Sequence, residues 1–139
     1  MSFLPEDDQD YLAAKELKFE LLTEDLGAGN TRRAVVFPAY TFEGNLHVVQ
    51  NNCLVRCSSS DLMVLIPAGY STTKLDSFYT ALHLKRPDGS DPNCAASDQS
   101  LFGRNWQFWS RHLDNSEWRN GVDGLETFLQ YIRGELRKA

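Results

Sequence analysis

FGRNWQFWSRH, residues 102–112, and the stretch that follows it, EWRNGVDGLETFLQYIRGEL, residues 117–136, decide how this chain is read. Two of its three tryptophans, Trp106 and Trp109, stand here with Arg104, Arg111 and His112, while aromatic residues make up only 12% of the chain. Large rings gather at a core anchor or at a binding surface. Each buries much apolar area, while an indole N–H or an imidazole nitrogen demands a polar partner. Two roles follow from the order of residues: Trp106 and Trp109 as core, and Ser110, Arg111 and His112 at the lip of a site. Downstream, Val122, Leu125, Phe128, Leu129, Ile132 and Leu136 recur at helical spacing and predict a C-terminal helix over Val122 to Arg137. Its basic end, Arg133, Arg137 and Lys138, suits the negative pole of the helix dipole.

Working back from this stretch, KRPDGSDPNCAASDQS, residues 85–100, has the Pro, Gly, Asp and Ser content of a long surface loop. Before it, DLMVLIPAGY and LDSFYTALHL read as two strands, the first stopped by Pro67 and Gly69, that pair antiparallel. Residues 39–60 are less legible, with a hairpin expected around Asn51 and Asn52. RRAVVFPAY predicts a strand closed by Pro38, since proline cannot donate to a ladder. GAGNT is a turn, preceded by a strand ending near Asp25. The opening LPEDDQDYLAAKEL predicts a helix from Glu6 to Leu17, with acidic residues in its first turn. Helix, a meander of about four strands, loop, aromatic segment and closing helix make an α+β architecture, expected as one domain over residues 1–139.

Composition narrows the function. A net charge of −5 and a pI near 5.1 argue against nucleic acid and anionic membrane, and an acidic surface suits protein partners. MSFLPEDDQDYL has neither the positive start nor the apolar run of a signal peptide, and no apolar run is long enough to span a bilayer. The expected location is therefore the cytoplasm. Three cysteines, an odd number, predict reduced thiols rather than a disulfide framework. Cys53 and Cys57 share one strand face with His47 upstream. CLVRC lacks the spacing and fourth ligand of a zinc site, however, so two buried thiols acting as small hydrophobes are expected and no metal. Cys94 lies in the polar loop, beside Asp91 and Asp98 rather than beside a cation. Ser110 and His112 form a nucleophile and base pair if the segment is extended, because residues two apart then face the same way. GAGNT lacks the spacing of a phosphate-binding loop, and no cofactor is expected.

The order of motifs resembles the ubiquitin-conjugating (E2) superfamily, in particular prokaryotic E2 family E. The resemblance is carried by LPEDDQDYL, VLIPAGY, LDSFYTAL, FGRNWQFWSRH and EWRNGVDGLETFLQYI, and covers nearly the whole chain apart from residues 39–60. It implies the E2 fold, with VLIPAGYSTTKLDSFYTAL as the strand pair joined around a Tyr and Pro motif, Ser71 standing where a second proline is usual, and Trp118 leading into the helix behind the active site. It also implies transfer of a ubiquitin-like protein carried on a cysteine a little under ten residues before that tryptophan. Counting back from Trp118 reaches Trp109, Ser110 and Arg111 instead, and the usual His-Pro-Asn is echoed only by Asp91, Pro92 and Asn93. Two expectations follow. The first is an E2-like binding module that holds a ubiquitin-like protein or an E1-like activating enzyme through Trp106, Trp109, Arg111 and Trp118. The second is a noncysteine transferase forming an ester or acyl intermediate at Ser110 or His112.

Overall fold

The computed structural model describes residues 3–70, 73–111, 118–119 and 123–139. Helix α1 (Glu6–Ala14) opens directly after Pro5, whose fixed φ suits a helix start, and carries Glu6, Asp7 and Asp8 in its first turn. Among the described residues eight strands follow: β1 (Glu20–Gly27), β2 (Asn30–Thr41), β3 (His47–Gln50), β4 (Cys53–Arg56), β5 (Ser59–Leu65), β6 (Phe78–Thr80), β7 (Asp98–Leu101) and β8 (Arg104–Trp109). Helix α2 (Leu125–Lys138) closes the chain. Six strands form one antiparallel sheet in the order β1-β2-β5-β6-β8-β7, and β3 and β4 pair apart as a hairpin. The fold is α+β as expected, but the sheet has six strands where about four were predicted. Among the described residues no helix is long and apolar enough to cross a membrane.

One strand runs longer than predicted, and two further strands account for the higher number. Pro38 does not close its strand: β2 runs on to Thr41 through a register shift between Phe37 and Tyr40. Ala39 turns to φ 48° there, and its N–H is taken by Asp61 Oδ1 at 2.8 Å. The aromatic stretch 104–109 is itself a strand, β8, paired with β6 on one side and β7 on the other. The last residues of the predicted loop, Asp98–Ser100, belong to β7. Phe102 and Gly103 make the turn between β7 and β8, at φ 52° and 78°. The Asn51–Asn52 hairpin forms as predicted, with φ 50° and 64° at the two asparagines, the left-handed pair a two-residue turn requires.

Both faces of the sheet are apolar. Val35, Phe37, Leu62, Val64, Phe78 and Trp109 point toward α2 and meet Leu125, Phe128, Leu129, Ile132 and Leu136 in the main core. Ala34, Val36, Met63, Tyr79, Leu101 and Trp106 form a second cluster on alternate residues of the same strands. Trp106 and Trp109 are three apart on one strand, so the two-residue period sends them to opposite faces. Helix α1 is tied to α2 by Asp8, which is 5% exposed: Oδ1 accepts the Leu125 N–H at 3.1 Å and Oδ2 accepts the Tyr70 hydroxyl. A carboxylate from the chain's beginning thus caps the helix at its end. At the other end of α2, Gly44 lies so close that a Cβ would sit 2.9 Å from the Leu136 carbonyl oxygen, and its φ of 128° also favours glycine.

Candidate functional site

The residues after β8 turn back over the polar loop. Ser110, half-buried, donates its N–H to the Cys94 carbonyl at 3.0 Å. Arg111 joins the loop, the sheet and α2. Its Nη1 donates to the Asn93 carbonyl at 2.7 Å, its Nε pairs with Glu135 of α2 at 2.8 Å, and its guanidinium lies 5.2 Å from the Trp109 ring centre. Its backbone exchanges hydrogen bonds with Ser77, which sits just before β6 at φ 57°. With side chains 12% and 11% exposed, Arg111 and Glu135 form a mostly desolvated pair that fastens loop, sheet and helix together.

Beneath this, Gln107 supplies polar support that no sequence pattern signalled. It is 1% exposed. Its Oε1 accepts from Leu84 N–H, Thr80 Oγ1 and Trp109 Nε1 at 2.8, 3.0 and 3.1 Å, and its Nε2 donates to the Leu84 and Ala95 carbonyls at 2.9 and 2.8 Å. Trp109 also donates to Thr80 Oγ1, so its indole N–H is satisfied inside the core. The outer part of the loop is held by His83, whose two ring nitrogens each face a carboxylate at 2.7 Å, Asp91 on one side and Asp98 on the other. His83 and Lys85 beside Asp91 hold its carboxyl below the usual range.

A groove of about 410 Å³ opens at this junction, lined by Arg86, Asn93, Cys94, Arg111, Glu135 and Lys138. The Cys94 residue is exposed at φ 54°. The polar loop borders Ser110 and Arg111 through Cys94 and Asn93. The three tryptophans expected to contribute to binding are all buried: Trp109 in the main core, Trp106 in the second cluster with Arg104 stacked 4.5 Å from its ring centre, and Trp118 against Tyr70 at 6.4 Å. Trp106 stands away from the groove on the other face of the sheet. His112 and Ser71 lie outside the described residues, as does Val122, where the closing helix was expected to start. A second cavity, of about 460 Å³ and lined by Leu26, Arg32, Arg33, Leu65, Pro67 and Lys74 among others, shares no residue with the groove.

Among the described residues no group of three His, Cys, Asp or Glu side chains is placed to hold a metal ion. The expected pair of buried thiols is corrected: Cys53 is exposed at the start of β4, and only Cys57 is partly buried, with its Sγ 3.1 Å from the Ser59 carbonyl. The two do not share a strand, because β4 ends at Arg56.

Ser110 stands eight residues before Trp118, against the loop that holds Asp91, Pro92 and Asn93. A family model, prokaryotic E2 family E, matches residues 4–139. The chain belongs to prokaryotic E2 family E. The match runs through residues 39–60, where the motif resemblance was poorest, and fits the two terminal helices with the antiparallel sheet between them. Membership implies interaction with proteins of a conjugation pathway. No curated protein and no solved structure matches the chain.

Proposed function

We propose that the protein is an E2-like component of a bacterial ubiquitin-like conjugation system, one domain over residues 1–139, that binds a ubiquitin-like protein or an E1-like activating enzyme and lacks the usual catalytic cysteine. The observation that carries this reading is the environment of the position eight before Trp118. Ser110 stands there, and the neighbouring Arg111 and Trp109 are committed to the Glu135 pair and the Gln107 network. Groups so occupied hold a surface in shape rather than react. Arg111 would then support binding through the Asn93–Cys94 segment it fixes, and Trp109 from within the core. The direct test is calorimetry of the purified protein with a ubiquitin-like protein and an E1-like enzyme encoded beside it. Heat with either, at micromolar concentrations, supports the module; none with both counts against it.

A covalent role is favoured by a different observation: the exposed Cys94 lines the groove on which Ser110 borders. In this reading a Ser110 hydroxyl, with His112 as base, or the Cys94 thiol attacks the acyl carbon of a partner delivered as an E1 thioester. A new ester or thioester bond forms, the E1 thiolate leaves, and the attacking group's proton passes to it. The adducts separate the cases. An adduct that resists reductant but yields to hydroxylamine, lost in Ser110→Ala, is an oxygen ester. One lost in Cys94→Ser is a thioester, and no adduct in any variant leaves the binding module.

A further inference from the structure

The chain carries a net charge of −5, yet the groove beside Ser110 reverses that sign. Arg86, Arg111 and Lys138 line it with one acidic side chain, Glu135, and with Ala139. Glu135 is 9% exposed and both its oxygens are taken, Oε1 by Arg111 Nε at 2.8 Å and Oε2 by Lys138 Nζ at 2.7 Å. It offsets charge at the floor of the groove but offers nothing to a ligand. Lys138 is 73% exposed, and the Arg86 side chain has no ion-pair partner among the described residues; Asp88, two positions on, only feels its field. The cations a ligand can reach are Arg86 and the exposed Lys138, the second already paired with Glu135.

We infer that this groove docks an acidic peptide segment of a partner or acceptor protein, with carboxylates spaced to meet Arg86 at one end and Lys138 at the other, which runs past Asn93 and Cys94. A small compact anion is a poorer occupant, because the C-terminal pole of α2 lies at the Lys138 end and repels concentrated negative charge. An extended chain spreads its charge and keeps each carboxylate beside a cation. The inference deepens the reading of this groove as the working site by naming the chemistry of what enters it.

The test is fluorescence anisotropy of the full chain with a labelled eight-residue peptide of alternating Asp and Gly, beside its Lys and Gly counterpart and inorganic phosphate as competitor. The acidic peptide binds, weakens as salt rises, and loses about tenfold in affinity in Arg86→Ala/Lys138→Ala, while Arg137→Ala leaves it unchanged. Circular dichroism confirms that the variants fold. Equal binding of the Lys peptide, unchanged affinity in the double variant, loss in Arg137→Ala instead, or full displacement by phosphate at constant ionic strength would each overturn the inference. So would absence of binding. No E1 and no acyl chemistry enter the assay, so its failure and a failure of the conjugation reading are told apart.

Discussion

Replacing Gln107 by Leu removes the amide while keeping nearly its volume. Thr80 Oγ1 retains the Leu82 carbonyl, and Trp109 Nε1 retains Thr80. Three buried backbone groups lose the side-chain partner seen in the structure: the Leu84 N–H, the Leu84 carbonyl and the Ala95 carbonyl. Each orphaned group costs about 1–3 kcal/mol when water cannot reach it, so after partial relaxation a loss of about 3–5 kcal/mol is expected. That is a large part of the roughly 5–15 kcal/mol a domain has, and lowers Tm by about 10–15 °C. Urea unfolding with an unchanged slope is the assay. Gln107→Glu is expected to do at least as badly, because the oxygen replacing Nε2 would face two carbonyls. A change below about 1 kcal/mol in both variants would show that the network does not hold the Leu84 and Ala95 segments, and the account of how the groove keeps its shape would fail with it.

Phe128→Ala should cost about 3–5 kcal/mol, since the ring is fully buried between α2 and the sheet; an unchanged melting temperature would take the helix out of the core. Gly44→Ala forces a side chain against the Leu136 carbonyl at a backbone conformation that disfavours it, and should cost about 1–3 kcal/mol in chemical denaturation. Burial raises the Asp8 carboxyl above its unfolded value, so the group contributes most below the unfolded value and loses that contribution as pH rises through the folded one. The stability of the native chain relative to Asp8→Asn should therefore increase as pH falls from neutral, read by thermal melts across acid pH. Asp123 behaves oppositely. Its hydrogen bonds from Arg119 lower its pKa, so its contribution is present above the unfolded value and fades as pH falls through the folded one, and Asp123→Asn should flatten the acid limb of the same curve.

What the chain shows in its letters is what is encoded locally. The Leu125, Phe128, Leu129, Ile132 and Leu136 stripe declares α2 because the face it buries repeats every turn. Asn51 and Asn52 declare a hairpin because few other residues accept two left-handed conformations in a row. β7 and β8 escaped notice because Phe102, a poor turn former, takes φ 52° between them, and because polar Asp98–Ser100 reads as loop until it is seen paired with Asn105–Gln107. The three-residue spacing of Trp106 and Trp109 looks like one cluster but describes two faces. The site was legible where neighbours in sequence form it, Ser110 and Arg111, and illegible where distant residues do. Nothing about Glu135 or Arg86 announces that they meet at Cys94, and a glutamine inside a strand gives no warning that it will satisfy three backbone groups.

Asp8 capping α2 has a consequence for how the molecule assembles. The contact joins residues 117 positions apart, so the Leu125 N–H at the start of the final helix meets this acceptor only when the opening helix has docked. Loop closure over that distance comes late and makes folding slow relative to the local hairpins. The opening helix therefore acts as a latch on the first turn of α2, and a fragment beginning at β1 would leave that turn without its cap while Phe128, Leu129 and Ile132 still hold the helix on the sheet.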